Sequence, residues 1–330
     1  MPGEGKVRVG FIGSGGNARH HMGNVLKLSE FEIVALNDPN SAMIAQAKRD
    51  YPALESVPAF ADYRDMLSSI EMDAVEISTP HTLHYQQVMD SLDRGLHVLC
   101  EKPLVCSVAH AREVIAKRDA TGKVCMVSYQ RHFQPEFRYI REKIASGEFG
   151  AVTFVSALQC QGWKRGTAGS WRQDPALSGG GQLNDSGSHL LDIILWITGL
   201  HVSKVSAFID NCGTPVDINS ALSITFKNGA QGNVSVVGDS AAGWHEDVTI
   251  WCERGVFFMR NGKLQVCDQR GNRYTFDSMP GGSTPDRNFL DAIQGRDTVQ
   301  SPFECGLRVI ELTESAWKSA AQGGAVVEVA

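Results

Sequence analysis

The sequence predicts an α/β protein: an N-terminal doubly wound parallel sheet, then an α+β domain with a large, open, mostly antiparallel sheet. Two observations predict it. From Lys6 to about Ser128, short β-rich runs alternate with amphipathic helical stretches, the pattern of a parallel sheet with helices on both faces. From 202 to 277, strand-like runs are separated by turn signals such as "NCGTP", "KNGA", "CERG" and "RNGK", as in an antiparallel or mixed sheet. The boundaries expected are 1–128 and 129–330, and the closing helices could pack back on the first domain.

In the first domain the strands are "KVRVGFI", "FEIVALN", "DAVEIST", "LHVLCE" and "KVCMVSY", with helical stretches starting near Gly16, Asn40, Asp62, Thr82 and Ser107. After Tyr129 come a helix from Pro135 to about Ser146, the strand "AVTFVSALQC", a Gly, Trp and Ser rich stretch from Gly162 to Gly181, and a helix around Asn184 to Thr198. Helices at about Asp286–Ile293 and Phe303–Ala321 and a tail strand "AVVEV" close the chain.

A chain of 330 residues has room for two cores. Its net charge of -6 argues against nucleic acid partners. Apolar stretches such as "LLDIILWITGL" are too short and interrupted to span a bilayer, and the first strand starts almost at Met1, so a cytoplasmic location is expected. Eight cysteines without a CxxC pair read as reduced core thiols, and no metal site is expected.

The first strand runs into "GSGGNARHH". Gly13, Gly15 and Ala18 keep the G-x-G-x-x-G/A spacing between strand and helix, the dinucleotide fingerprint of the Rossmann fold. Gly13, Ser14, Gly15, Gly16, Asn17 and Ala18 form the expected phosphate cradle, with the amides of 15–18 facing the anion. Asp38 ends the second strand, 23 residues after Gly15. A carboxylate there accepts bonds from a ribose and repels a 2'-phosphate, so NAD is expected over NADP. "ISTPHTLH" places Ser78, Thr79, Pro80, His81 and His84 beside the cofactor path; for His81 and His84 a structural role is equally open.

Nicotinamide chemistry on an alcohol also needs a base. "DSGSHLLD" offers Asp185 and His189 at i and i+4, with Asp192 three further on. One helical face would carry all three if the helix is regular there, although "SGS" is poor helix material. The loop 162–181 holds Trp163, Lys164, Arg165, Trp171 and Arg172. Tryptophan faces with cationic donors suit a polyhydroxylated substrate, and a loop held by its own buried tryptophans is the alternative, above all for Trp163.

Together, "GSGGNA", "DP", "STPHTLH", "GLHVLCEKPL", "YQRHF", "SWRQDP" and "DSGSHLLD" resemble the glucose-fructose oxidoreductase and inositol dehydrogenase family, in order over nearly the whole chain. The most specific element is "EKP". The resemblance implies that Lys102 reaches the substrate hydroxyl and the nicotinamide ribose, that Glu101 lies on the cofactor side, and that Pro103 often follows a cis peptide. It further implies His189 as proton acceptor, with Asp185 or Asp192 as its orienter. Trp171 and Arg172 would reach cofactor or substrate from the second domain, and Gln130, Arg131 and His132 would lie at the domain junction. Arg131 and His132 are substrate candidates there, and Gln130 a cofactor candidate. It also implies a homo-oligomer, a dimer or tetramer.

The activity expected is NAD-dependent oxidation of a secondary alcohol on a sugar or cyclitol. The alternatives are redox-neutral glycoside cleavage through transient oxidation and a non-catalytic NAD-binding sensor.

Overall fold

The computed structural model describes residues 5–276 and 279–329. They divide into two units, one made of residues up to Val105, Ala109–Gln130 and Ser283–Glu304, the other of Cys106–Val108, Arg131–Gly282 and the chain from Cys305.

The first unit runs β1 (Val7–Ile12), α1 (Gly16–Val25), β2 (Phe31–Asn37), α2 (Ser41–Asp50), β3 (Ala59–Phe60), α3 (Tyr63–Ser69), β4 (Ala74–Ile77), α4 (His84–Asp93), β5 (His97–Cys100), α5 (Val108–Thr121) and β6 (Cys125–Val127). Its six strands lie in the order β3-β2-β1-β4-β5-β6, all parallel. Helices cover both faces, so the central strands are apolar almost without alternation; every residue of β4 is buried. Asn40 and Asp62, where helices were expected to start, are the N-caps of α2 and α3, accepting from the amides of Ala42 and Arg64. The sequence reading misses β3, a two-residue edge strand too short to show a period.

One register brings the functional loops to one edge. The Gly13 amide donates to the Asn37 carbonyl (3.0 Å), Ser78 to Ile12 (2.8 Å), Glu101 to Ile77 (2.8 Å) and Ser128 to Cys100 (2.8 Å). The strand order reverses between β1 and β4, the position at which such sheets open a crevice at their carboxyl ends.

The second unit contains α6 (Pro135–Ala145), β7 (Val152–Cys160), α7 (Trp163–Gly166), α8 (Pro175–Ser178), α9 (Gly187–Thr198), β8 (Val202–Asp210), β9 (Asn219–Phe226), β10 (Gln231–Val237), β11 (His245–Cys252), β12 (Gly255–Arg260), β13 (Lys263–Asp268) and β14 (Arg273–Phe276). After α10 (Pro285–Ile293), which belongs to the first unit, α11 (Phe303–Ala321) and β15 (Val327–Glu328) end the chain. The predicted strand region reaches Asp277, which lies outside the described residues.

Among the described residues the second sheet has nine strands, ordered β14-β13-β12-β11-β7-β10-β9-β8-β15. Only the β7–β10 pair is parallel. The expected open, mostly antiparallel sheet is therefore found. α9 packs on β7 and α6, and its run from Gly187 to Thr198 is buried apart from His189, as expected of a helix that is apolar on all sides. No helix among the described residues is long and apolar enough to cross a membrane.

Candidate active site

The loop after β1 is built for close approach. Gly13 has φ +94°, and a Cβ there would stand 2.4 Å from the Ser78 carbonyl oxygen, so only glycine fits. Gly15 differs: its φ is -69°, and a Cβ would meet nothing within 4 Å. It is the N-cap of α1 and, as glycine, brings no side chain to cap the helix. This uncapped helix start, with a gap where a side chain would stand, fits a dinucleotide pyrophosphate.

Asp38 holds the loop from the side. Its Oδ2 accepts from the Ser14 amide (2.9 Å) and its Oδ1 from the Asn40 amide (2.9 Å), so the carboxylate is fixed beside the glycine loop. The Ser14 hydroxyl donates inward to the Asn37 carbonyl. Gly16 and Asn17 are exposed at the start of α1, and Ala18 is buried beneath it.

Thr79 donates to Gln87 Oε1 (2.5 Å) and Ser78 to Glu76 Oε1 (2.9 Å). His84 is wholly buried; its Nδ1 lies 2.8 Å from the Pro103 carbonyl and its Nε2 3.0 Å from the Thr79 carbonyl. Burial pushes this imidazole below its ordinary pKa, and in the neutral ring only one of the two nitrogens donates, to one of the two carbonyls. His84 thus ties the β4 loop to the "EKP" turn. His81 is buried beside it, the rings 5.9 Å apart.

The Lys102–Pro103 peptide is cis. Lys102 is only 7 % exposed at the carboxyl end of β5. Glu101 is engaged on both oxygens, Oε1 with His21 Nε2 (3.0 Å) and Oε2 with the Lys102 amide (3.2 Å). His21 in turn bonds Asp286 of α10 through Nδ1 (2.7 Å). Burial opposes a charge on His21, but the carboxylates of Glu76 and Asp286 outweigh it and hold the imidazolium well above its usual pKa. Burial likewise lifts the Glu76 carboxyl well above the usual range. Sequence reasoning misses both His21 and Asp286. The available signal was a histidine among Ala18, Met22 and Val25 on the buried face of α1.

The second unit gathers a different set. Asp185 lies in the turn before α9, which begins at Gly187. The expectation of one helical face carrying Asp185, His189 and Asp192 is thus corrected: the glycine and serines between them delay the helix. Asp185 Oδ2 accepts from Trp163 Nε1 (3.0 Å) and Arg172 Nε (3.0 Å). Trp163 is buried against Val216 and Ile218, so it braces Asp185 and offers no open face to a sugar. The Arg172 guanidinium stacks over the half-buried Trp171 ring, 4.5 Å from its centroid. His189, in the first turn of the helix, is partly exposed.

Asp192 faces elsewhere. Its Oδ2 bonds His132 Nε2 (2.7 Å), and the His132 ring stacks on Trp196 at 4.2 Å. His132 is thus a fully buried part of the helix layer. Arg131 forms a buried ion pair with Glu246 (2.6 Å). Gln130 opens the short turn Gln130–Phe133 and is partly exposed. Two donor groups could share an ion, His21 with Glu76 and Asp286, and His132 with Asp192 and Cys305. In each, however, imidazole and carboxylate stand 2.7 Å apart, at hydrogen-bond distance.

A parallel sheet of this order, with a glycine loop and an acidic residue at its switch point, defines a dinucleotide-binding Rossmann unit. Residues 7–129 match the model of the oxidoreductase family with an NAD-binding Rossmann fold, and residues 137–258 match the GFO/IDH/MocA C-terminal domain. The chain belongs to the GFO/IDH/MocA family of NAD-binding oxidoreductases.

Among its relatives, the rhizopine catabolism protein MocA of Rhizobium meliloti is 31% identical over 59% of this chain. The match spans 58% of that relative's own length, little more than half. The scyllo-inositol 2-dehydrogenase (NAD(+)) of Bacillus subtilis is 25% identical over 85% of this chain and 82% of its own. Levoglucosan dehydrogenase, solved with NADH and levoglucosan, shares the fold with a TM-score of 0.87 at 22% identity, over 98% of this chain and 99% of the other.

Proposed function

We propose that this chain oxidises, reversibly and with NAD, a secondary hydroxyl of a sugar, cyclitol or sugar derivative. The observation that carries the reading is Lys102, almost wholly buried on the nucleotide edge of the sheet, on a turn whose carboxylate partner is itself held. Relatives named for inositol and rhizopine support the substrate class.

Gly15 and the α1 amides would hold the pyrophosphate, and Asp38 the adenosine ribose. When bound, NAD supplies the acceptor for the substrate's hydride. The Lys102 ammonium donates to the reacting oxygen and stabilises the negative charge that develops there; burial strengthens that interaction. His189 takes the hydroxyl proton, imidazole being the side chain most suited to proton transfer in neutral solution. Because Asp192 is engaged by His132, the orienting role falls to Asp185, and Arg172 beside it is a donor for substrate hydroxyls.

The test is a panel of polyols and sugars with NAD, followed by the absorbance of the reduced nicotinamide. Lys102→Ala should lower kcat on the order of 10²- to 10³-fold, far more than it lowers NAD affinity. Turnover within a few-fold of wild type would refute the role of Lys102. Release of an aglycone with no net nicotinamide reduction would replace oxidation by redox-neutral cleavage.

A further inference from the structure

We infer that His21 is a positioning residue for Lys102: it fixes Glu101, whose second carboxylate oxygen holds the Lys102 amide. The inference rests on the proposed function, since it assigns His21 to the turn that carries the reacting lysine.

The chain of contacts is continuous within the first unit. Asp286 Oδ1 stands 2.7 Å from His21 Nδ1, His21 Nε2 stands 3.0 Å from Glu101 Oε1, and Glu101 Oε2 accepts from the Lys102 N–H at 3.2 Å. A carboxylate is an acceptor only, so an imidazole between two carboxylates satisfies both when both of its nitrogens carry protons. Three further side chains stand around the ring and its partners. From α1, Asn24 Nδ2 donates to the other oxygen of Asp286 (3.0 Å). From the loop after β6, the Ser128 hydroxyl lies 3.2 Å from Nε2. From β4, Glu76 approaches to 3.9 Å and takes the Ser78 hydroxyl on Oε1.

His21, Glu101 and Asp286 are each at most 3 % exposed, so water cannot replace any of these partners. Buried carboxylates need a nearby counter-charge to stay ionised. His21 supplies it for Glu101, from the same helix whose first turn forms the phosphate cradle. Removing that charge lets Glu101 take up a proton and release the Lys102 backbone, and misplacement on the ångström scale is enough to slow chemistry severely.

The experiment uses the full chain and the best substrate of the panel above. H21Q should lower kcat at neutral pH on the order of 10- to 100-fold, with KM for NAD little changed. The acidic limb of its kcat–pH profile should move up by about one pH unit or more, as a carboxylate deprived of its cation ionises later. In an E101Q background the same substitution should add almost nothing, because its effect runs through Glu101. Near-UV circular dichroism reports folding. If H21Q does not fold, D286N, which keeps the side-chain volume, should give a smaller shift of the same limb in the same direction. An unmoved pH profile in the folded variant, or H21Q and E101Q losses that simply add, would overturn the assignment while leaving the proposed function in place. A wild-type chain that oxidises nothing in the panel would overturn both.

Discussion

Substituting alanine at Gly13 and at Gly15 should produce two different failures. At Gly13 the new methyl carbon would lie 2.4 Å from the Ser78 carbonyl oxygen and 3.2 Å from Thr79 Cγ2, on a residue with φ +94°. The backbone conformation costs about 1–2 kcal/mol for a residue with a Cβ, and forcing a methyl into backbone adds about 1–3 kcal/mol. The Ser78 amide bonds Ile12 at 2.8 Å, so relief by moving Ser78 breaks the contact between the β1 and β4 ends. G13A should therefore melt roughly 5–15 °C below wild type, given about 2–4 °C per kcal/mol for a unit of this size. At Gly15 the φ of -69° suits alanine and the methyl meets no atom within 4 Å. G15A should melt only a few degrees below wild type, for the roughly 1 kcal/mol that separates glycine from alanine at a helix N-cap. Its methyl instead occupies the space assigned to the pyrophosphate, where a clash of about 1–3 kcal/mol corresponds to about 5- to 150-fold in Kd. Differential scanning fluorimetry and NADH fluorescence titration on both variants separate the two effects. A stable G15A that binds NADH like wild type would refute the cradle, and a G13A of wild-type stability would refute the close approach to Ser78.

Asp38→Ala removes acceptors for the Ser14 and Asn40 amides as well as the ribose contact; hydrogen bonds to a charged group contribute about 1.5–3 kcal/mol, so NAD affinity should fall roughly 10- to 150-fold. NADP binding should fall less, and an unchanged NAD to NADP ratio would refute ribose recognition. His97 is pushed from 6.5 down to about 4 by burial and then by the charge of Lys123, and its Nδ1 accepts from the Val124 amide (2.9 Å). The unfolded chain therefore takes up this proton first, so the contribution is intact above about pH 6.5 and lost as pH falls toward 4. Melting temperatures of H97Q should lack that part of the acid slope, and an identical slope would remove His97 as its source. Asp217 accepts from the amides of Gly181 and Leu183 and from Trp317 Nε1. D217N turns an amide donor toward one of these donors, so it should destabilise the chain by about 1–3 kcal/mol and, through the turn leading to Asp185, raise KM for substrate; an unchanged melting temperature would refute it.

The nucleotide half was legible because its signals are local. The glycine spacing, the acid after β2 and the near-continuous apolar strands can each be read from a few consecutive residues. The partners of the charged groups were not legible, because folding pairs them across long separations. His21 meets Asp286, 265 residues away, and His132 meets Asp192, 60 residues away. In the sequence Asp192 looks as close to His189 as Asp185 does; only the late start of α9 and the stacking of His132 on Trp196 separate their roles. Trp163 read equally well as sugar platform or buried brace, since an indole carries a broad face and one donor, and the contact that decides between them is with a residue 22 positions on. Strand order in the large sheet was hidden for the same reason: β7 lies between β10 and β11, both far along the chain.

The nucleotide-binding unit includes Ser283–Glu304, a segment that follows most of the second unit in the sequence. A ribosome has therefore made nearly all of the polypeptide before Asp286 can reach His21 and Asn24, or before the Ser301 carbonyl can take the Val127 amide. An engineer who cuts the gene after Gln130 to obtain a stand-alone coenzyme module would leave a charged histidine in the interior with one of its counter-ions on the discarded fragment. Grafting this module elsewhere means transplanting two pieces of gene.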